Sequence, residues 1–258
     1  MGKIYITGDK HSDFQSPDDY QKVEKFCKQF STTKEDFMIV LGDHGVRYYE
    51  DWRDLHAKKK LAKYPIRFIM LRGNHDKRTT QYGKNVYVDT DCVKGWFVED
   101  PDYPDILYTT EYGWYKFAGH NVFVINGAYS VDKWYRLEMN ERGFLNYRWF
   151  IDEQLTNEEK EDAEDLLFGT MERFWRTDFI VMSHTCPIGF KPTDNLLPGI
   201  DQSKVDESTE QWMQKLYDKI AEENLPLEQW YCGHWHIDRK VNPVRFMYHD
   251  IILLENKK

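Results

Sequence analysis

The chain of 258 residues has few cysteines, no long apolar run and no excess of positive charge. Its four cysteines, Cys27, Cys92, Cys186 and Cys232, form no CxxC pair, which argues against a thiolate zinc site or a disulfide framework. No apolar stretch approaches the roughly 20 residues that span a bilayer, and no basic-then-apolar leader begins the sequence. From these absences we expect a cytoplasmic protein with no membrane partner.

The charge balance is acidic, with 44 Asp and Glu residues against 35 Lys and Arg, for a formal net charge of −9. A groove that holds a nucleic-acid backbone is usually basic, so this balance disfavours nucleic acid as a partner while leaving room for a local basic patch. No internal repeat and no linker rich in Pro, Gly or Ser divides the chain. We therefore predict a single domain over residues 1–258, with a hydrophobic core large enough to be stable without disulfides or other cross-links.

The first third of the sequence alternates strands and helices. Three apolar strands are predicted, at residues 3–7, 37–41 and 66–71. Ser16 is a candidate N-cap with Pro17 at the first position of one helix, and Trp52, Leu55 and Ala62 indicate a second helix. This βαβαβ order predicts right-handed crossovers and a mainly parallel sheet.

The middle of the chain changes to short strands separated by turns. They are predicted at residues 86–88, 93–98, 106–109, 114–117 and 122–125, and they indicate an antiparallel extension or a second sheet. One helix follows near residues 156–168, where Thr156 and Glu159 form a capping box, and another covers residues 208–222. Closing strands are expected within residues 244–254. Two sheets flanked by helices is the predicted architecture.

Five predicted strands, the three of the first third and two more at residues 179–182 and 229–232, end directly in groups of metal-binding residue types. The junctions are Gly8-Asp9-Lys10-His11, Gly42-Asp43-His44, Gly73-Asn74-His75-Asp76, Ser183-His184 and Gly233-His234-Trp235-His236. Ligands bind beside the carboxyl ends of parallel strands, so these distant groups could meet at one edge. The candidate ligands are two carboxylates, four imidazoles and one amide: Asp9, His11, Asp43, Asn74, His184, His234 and His236.

This donor set contains no thiolate and suits Mn²⁺, Fe or Zn²⁺ better than an all-oxygen Ca²⁺ cage. Seven ligands are too many for one ion and fit two ions that share a bridging carboxylate. The alternative is that these residues cap strands and turns by chance. Each residue alone fits that alternative, whereas the five junctions together indicate hydrolysis at a binuclear metal centre.

The ordered motifs Asp-x-His, Gly-Asp, Gly-Asn-His-Asp, His and Gly-His-x-His, which span residues 9 to 236, resemble those of the calcineurin-like metallophosphoesterases. The resemblance implies a four-layer α/β/β/α sandwich of two mixed sheets flanked by helices. It also implies two ligand groups and a bridge: Asp9, His11 and His236 for one ion, Asn74, His184 and His234 for the other, and Asp43 between them.

The chemistry expected of such a centre is attack on phosphorus by a metal-bridging hydroxide, with the ions neutralising the phosphoryl oxygens. His75 is the predicted general acid for the leaving group, a role that the histidine of this motif commonly has in the family. Asp76 is predicted to orient or tune His75. The alternatives are that His75 only orients a ligand and that Asp76 caps the next helix.

Three arginines are candidate substrate-binding residues. Arg47 occupies the position of the arginine in Gly-Asp-x-x-Asp-Arg-Gly of the Ser/Thr phosphatase branch, but Val46 replaces the second aspartate of that motif. Arg78 follows the Asn-His-Asp motif, and Arg136 follows a sixth strand whose polar turn begins at Asn126. Arg136 could grip phosphate bidentately, although each of these arginines also fits an ordinary surface or structural position.

The predicted substrate is a small-molecule or peptide-borne phosphate ester. A nuclease acting on nucleic-acid phosphodiesters would retain the same metal core, because the surrounding loops determine specificity. A non-catalytic binding scaffold of this fold is the other alternative. Such a scaffold should have lost ligands, and none is missing from the motifs.

Overall fold

The computed structural model describes residues 2–11, 18–79, 83–144, 146–173, 177–196 and 199–257; the candidate cap residues Ser16 and Pro17 lie outside them. Within these ranges the helices are α1 (Asp18–Phe30), α2 (Trp52–Leu61), α3 (Lys133–Glu141), α4 (Asn157–Arg173) and α5 (Ser208–Glu222). None of the helices in this part of the chain is long and apolar enough to cross a bilayer.

Thirteen strands form in the same described ranges. They are β1 (Ile4–Thr7), β2 (Phe37–Val40), β3 (Arg67–Met70), β4 (Lys84–Asp89), β5 (Val93–Glu99), β6 (Ile106–Thr109), β7 (Tyr112–Phe117), β8 (His120–Ile125), β9 (Phe179–Ser183), β10 (Leu227–Cys232), β11 (Arg239–Val241), β12 (Val244–Phe246) and β13 (Ile251–Leu254). All five short strands predicted in the middle of the chain are among them.

The strands form one hydrogen-bonded sheet in the order β11-β12-β10-β9-β8-β7-β5-β6-β3-β2-β1-β13, with β4 paired to β5. β1, β2, β3 and β6 are parallel neighbours in one half, and β8, β9, β10 and β12 are parallel neighbours in the other. β5 pairs with β6 near its end and with β7 near its start. The two predicted sheets are therefore the halves of one continuous sheet.

The two halves of the sheet face each other across an apolar core. Ile4 and Ile39 from one half share this core with Val122 and Ile180 from the other half. Because side chains alternate along a strand, the intervening residues point outward, under α1 and α2 on one side and under α4 and α5 on the other. These four layers confirm the predicted α/β/β/α sandwich.

The helices agree with the sequence in one detail and differ in another. In the capping box before α4, the Thr156 N–H donates to Glu159 Oε2 at 2.8 Å, and the Glu159 N–H donates to Thr156 Oγ1 at 3.2 Å. α2 forms where Trp52, Leu55 and Ala62 indicated a helix, but Trp52 and Leu55 are 64% and 43% exposed whereas Ala57 is buried. At 3.6 residues per turn, those two side chains lie about 140° and 160° around the helix from Ala57.

Candidate metal centre

The predicted ligands follow strands that end at the same edge of the sheet. β1, β2 and β3 are adjacent and parallel, as are β9 and β10 in the other half, so their carboxyl ends bring the five junctions together. Within the described ranges, two groups of acidic and imidazole side chains place their ligand atoms within 4.8 Å of one another: Asp9 with His11 and His236, and Asp9 with Asp43 and His184.

Asp43 lies between the two sets of predicted metal ligands. Its Oδ2 atom is 3.9 Å from His11 Nε2, and its Oδ1 atom is 3.5 Å from His184 Nε2. Oδ1 also accepts the backbone N–H of His75 at 2.8 Å. Because the carboxylate is 2% exposed and its two oxygens face different donors, its placement suits a ligand shared by two cations.

Three donor atoms converge where Asp9, His11 and His236 meet. Asp9 Oδ2 is 3.1 Å from His236 Nε2 and 3.8 Å from His11 Nε2, and the two imidazole nitrogens are 2.9 Å apart. Asp9 Oδ2 is buried and accepts no hydrogen bond from the described residues. Burial would raise the pKa of Asp9, but His236 and His184 outweigh it and lower the pKa to about 2. A buried carboxylate oxygen without a donor fits a bound cation.

His184 is fully buried and its ring is fixed by the hydrogen bonds of both nitrogens. Nδ1 is 2.7 Å from the carbonyl oxygen of Leu41, and Nε2 is 2.9 Å from Asn74 Oδ1. Burial lowers the pKa of His184, but the charge of Asp43 reverses the shift and raises the pKa to about 9. The His234 ring lies 5.0 Å from the His184 ring between centroids. A metal ion would replace the His184 Nε2 proton, because metal ligands bind deprotonated.

The backbone at these junctions adopts uncommon conformations. Asp43, His234 and His236 have φ of 47°, 67° and 51°, in the left-handed region that L side chains rarely adopt. Beside them, Gly73 comes so close to Asp43 that a Cβ at residue 73 would lie 2.0 Å from Asp43 Oδ1. Glycine is therefore required there by close approach, because any side chain would displace the Asp43 carboxylate.

His75 lies beside the predicted metal ligands with its ring partly exposed. Its Nε2 is 3.9 Å from Asp43 Oδ2, 3.2 Å from Arg136 Nη2 and 3.2 Å from Asn74 Nδ2. The two nearer atoms are N–H donors, so Nε2 accepts in this structure. Burial lowers the pKa of His75 to about 3, with Asp43 opposing the shift and Arg136 adding to it.

Asp76 is 1% exposed, and its carboxylate joins two of the junctions. It accepts the backbone N–H of Gly73 at 2.9 Å, of His44 at 3.2 Å and of Gly45 at 3.3 Å. Burial and the charge of Asp43 raise the pKa of Asp76 to about 7. These bonds hold the loop after β2 against the loop after β3, a contact that neither sequence interpretation of Asp76 included.

A cavity of about 450 Å³ opens over the centre. Its floor contains five of the seven predicted ligands, namely His11, Asp43, Asn74, His234 and His236, together with His75. Arg136 lines its wall and is held there by Asp132 Oδ1 at 2.8 Å and by the hydroxyl of Tyr48 at 2.8 Å. The rest of the lining includes aromatic and amide side chains: Tyr49, Tyr147, Trp235, Asn146, Asn195 and Gln202.

A family model described as calcineurin-like phosphoesterase matches residues 2–238, which is most of the chain. The chain belongs to this family. It is therefore a metal-dependent phosphoesterase, as the motifs predicted, and its two clusters of Asp and His side chains could hold the metal.

Two solved structures resemble this calcineurin-like phosphoesterase distantly. One is a protein of unknown function from Aquifex aeolicus, 13% identical, with a TM-score of 0.41 over 96% of this chain and 90% of that one. Another, named "Putative 5'-Nucleotidase" from Staphylococcus aureus, is 14% identical, with a TM-score of 0.38 over 95% of this chain and 48% of that one. At these TM-scores neither likeness bears on function. Curated proteins give no significant match.

The three candidate arginines of this calcineurin-like phosphoesterase have different surroundings. Arg136 lines the cavity, whereas Arg47 and Arg78 are not among the described residues that line it. Arg78 pairs with Glu159 and donates to the carbonyl oxygens of Asp152 and Gln154. Arg47 is buried, donates to the Arg78 carbonyl oxygen at 3.1 Å and lies over a tyrosine ring. Both of these arginines connect loops in the interior.

Sequence reasoning missed four residues that support the centre: Tyr48 and Asp132, which hold Arg136, and Ser130 and Glu153, which contact Asn74 through a hydrogen-bond chain. Tyr48, Ser130 and Asp132 lie in segments between regular elements, where no periodicity shows which way a side chain points. The only available signal was the polar turn after β8, which contains Ser130.

Proposed function

We propose that this calcineurin-like phosphoesterase hydrolyses phosphate esters at a centre of two divalent ions. The proposed ligands are Asp9, His11 and His236 for one ion and Asn74, His184 and His234 for the other, with Asp43 as the bridge. The observation that supports it most is the position of the Asp43 carboxylate, whose two oxygens face His11 and His184 at 3.9 and 3.5 Å.

Two ions at this centre would lower the pKa of an attacking water and neutralise the phosphoryl oxygens. The donors are carboxylate, imidazole and amide, which favours Mn²⁺, Fe or Zn²⁺. The surrounding backbone keeps these donors in place: the His234 N–H donates to Asp9 Oδ1 at 2.9 Å, and the His75 N–H donates to Asp43 Oδ1 at 2.8 Å.

His75 is the proposed general acid, supported by its place on the cavity floor beside Asp43. A general acid must carry a proton on the nitrogen that faces the leaving group, and Nε2 instead accepts from Arg136 before substrate binds. An anionic phosphate would attract the Arg136 guanidinium towards its own oxygens and favour a protonated imidazole. Arg136 is thus the proposed phosphate-binding residue.

The proposed substrate is a small-molecule or peptide-borne phosphate ester. A cavity of about 450 Å³ is within the ordinary size range of sites for small ligands. The formal net charge of −9 opposes a long polyanion. We also propose a cytoplasmic location, which is supported by the four buried free cysteines.

Replacing the proposed bridge tests the centre directly. Asp43→Asn should lose both ions and hydrolysis together, because a neutral amide cannot hold two cations. Metal content by elemental analysis and release of nitrophenol from an aryl phosphate with added Mn²⁺ measure the two effects. The matched control is Asp165→Asn, an exposed aspartate on α4, which should retain both. An Asp43→Asn protein that keeps two ions per chain contradicts the proposal.

A substrate panel separates the proposed phosphoesterase from its alternatives. The wild-type protein with Mn²⁺ is given an aryl monophosphate, an aryl diester, a cyclic nucleotide, a phosphopeptide and a single-stranded oligonucleotide. We expect turnover of a small or peptide-borne ester at least tenfold above that of the oligonucleotide. The reverse preference indicates a nuclease, and a wild-type protein that binds little metal and releases no product indicates a scaffold.

A further inference from the structure

Asn74 contributes a neutral amide to the proposed centre. An amide can turn either its oxygen or its NH₂ group towards that centre. Its oxygen can bind a cation, whereas its NH₂ group repels one, and a half-turn of the side chain exchanges them with little change in shape. Asn74 is 2% exposed, so water cannot select the end. In the structure Oδ1 lies 2.9 Å from His184 Nε2, and Nδ2 donates to Ser130 Oγ at 2.9 Å.

Ser130 is fully buried in the turn that follows β8. Its hydroxyl donates to Glu153 Oε2, and its backbone N–H donates to Glu153 Oε1 at 3.0 Å. A hydroxyl has one hydrogen, and here that hydrogen is committed to Glu153. The side of Ser130 Oγ that faces Asn74 is therefore an acceptor, and only the NH₂ end of the amide can meet it.

Glu153 is held in place by its surroundings. The direction of the hydrogen bonds that run from Asn74 through Ser130 to Glu153 therefore does not depend on a mobile carboxylate. Glu153 is 2% exposed, and its backbone carbonyl accepts from Arg72 Nη1 at 2.7 Å. Arg72 in turn pairs with Glu111, with Nη2 and Oε2 2.6 Å apart. The Arg72 carbonyl also accepts the Gly127 N–H at 2.9 Å. Arg72 therefore joins the segment before α4, which contains Glu153, to the turn after β8, which contains Ser130.

We propose that Ser130 and Glu153 are positioning residues that keep the oxygen of the Asn74 amide, rather than its nitrogen, turned towards the metal centre. The inference rests on the proposed function, because the orientation of Asn74 matters to catalysis only if Asn74 binds an ion. It also gives a role to the polar turn after β8. Hydrogen bonds to a ligand from residues that do not touch the metal commonly orient it.

The first test is Mn²⁺ binding to the metal-free full-length protein by titration calorimetry. Ser130→Ala removes the nearer acceptor of the Asn74 NH₂ group, at 2.9 Å, and leaves His75 Nε2 at 3.2 Å. We expect the affinity of one of the two ions to fall by roughly 10- to 100-fold. The matched control is Thr209→Val, which removes another buried hydroxyl, one that bonds to Gln154 Oε1 at 2.6 Å. This control should bind Mn²⁺ as the wild type does.

The decisive test repeats Ser130→Ala in the Asn74→Asp protein, in which either end of the side chain at residue 74 presents an oxygen to the ion. In Asn74→Asp the ligand has two equivalent oxygens, so adding Ser130→Ala should change Mn²⁺ affinity by less than about twofold. An equal loss in the wild-type and Asn74→Asp backgrounds would show that Ser130 acts only on packing, and it would overturn the proposal. If Ser130→Ala does not fold, Glu153→Gln serves instead, because its amide can donate as well as accept and no longer fixes the direction of the Ser130 hydroxyl.

The outcomes for the two proposals differ. A wild-type protein that binds none of Mn²⁺, Fe²⁺ and Zn²⁺ contradicts the proposed function and the positioning roles together. A wild-type protein that binds two ions, with Ser130→Ala and Glu153→Gln equal to it in affinity, contradicts the positioning roles alone.

Discussion

Arg136 is the one arginine or lysine among the described residues that line the cavity, and it touches the proposed general acid. It is bound on its other side by Asp132 and Tyr48, so its guanidinium is held ready where an ester phosphate would enter. Arg78 lies only three residues after His75 but points into the protein. The two arginines therefore allow binding and folding effects to be compared in one enzyme.

Arg136→Ala should lower kcat/KM by roughly 10- to 1000-fold, since a charge-assisted bidentate contact to phosphate is lost. Arg78→Ala should leave kcat/KM within about threefold and instead lower the free energy of unfolding by about 2 kcal/mol, because its bonds to Glu159 and two carbonyls are structural. Steady-state kinetics and urea unfolding of both variants measure the difference. Equal kinetic effects from the two substitutions would count against Arg136 as the phosphate ligand.

His75→Gln should leave both ions bound and slow turnover by roughly 10²- to 10⁴-fold for an alkyl phosphate, whose leaving group needs a proton. The loss should be smaller for a nitrophenyl phosphate, whose leaving group is stable without one. His120→Gln is the control, because His120 bonds to Glu228 and to the Glu255 carbonyl. Full activity of His75→Gln towards the alkyl ester would rule out the general-acid role.

The metal-binding residue types could be predicted because they directly follow strands, so the fold alone decides where they converge. His11, Asp43 and His184 meet for this reason. The side chains of Arg47 and Arg78 could not be placed, since an arginine in a loop can reach several Å towards either the cavity or the interior. The hydrogen-bond and ion-pair partners outside the motifs determine which way each arginine points, and a single sequence does not identify those partners.

Among the elements, strands were easier to predict than the orientation of helices. A buried strand appears as a short apolar run whatever its neighbours are, and all five mid-chain strands form. In α2 the largest apolar residues do not mark the buried face, because Ala57 and Leu61 fill it. α3 has no buried residue among its described positions, so its apolar residues mark no buried face.

The capping box of α4 gives a prediction for a single element. Thr156→Ala removes the side-chain acceptor for the Glu159 N–H and should lower the free energy of unfolding by about 1 kcal/mol. Activity should be unchanged at temperatures where the protein is folded. Chemical unfolding, with Glu161→Ala on an exposed face of the same helix as control, measures the effect. An equal loss in both variants would show that the cap does not stabilise this helix.

At the scale of the whole molecule, the continuous sheet joins parts that sequence order separates. β13, near the end of the chain, pairs with β1 over Ile4↔Leu254 to Thr7↔Ile251. One core contains residues from both halves of the sheet. We therefore propose that residues 1–258 fold as a single domain, as the absence of a linker in the sequence predicted.

A single domain should unfold in one cooperative transition. Scanning calorimetry of the metal-free protein should give a ratio of calorimetric to van't Hoff enthalpy close to one, because neither half can lose its face of the shared core alone. Circular dichroism and tryptophan fluorescence should report the same midpoint. Two resolved transitions would show that the halves are separate folding units.

The left-handed backbone of Asp43, His234 and His236 has a consequence for how such a protein evolves. Each of these conformations costs an L residue about 1 to 2 kcal/mol, whereas glycine would adopt it freely. Glycine at these positions would therefore make the metal-free protein more stable while removing the proposed ligands. Stability and metal binding thus oppose each other at these three positions, and a variant chosen for stability alone would lose the proposed centre.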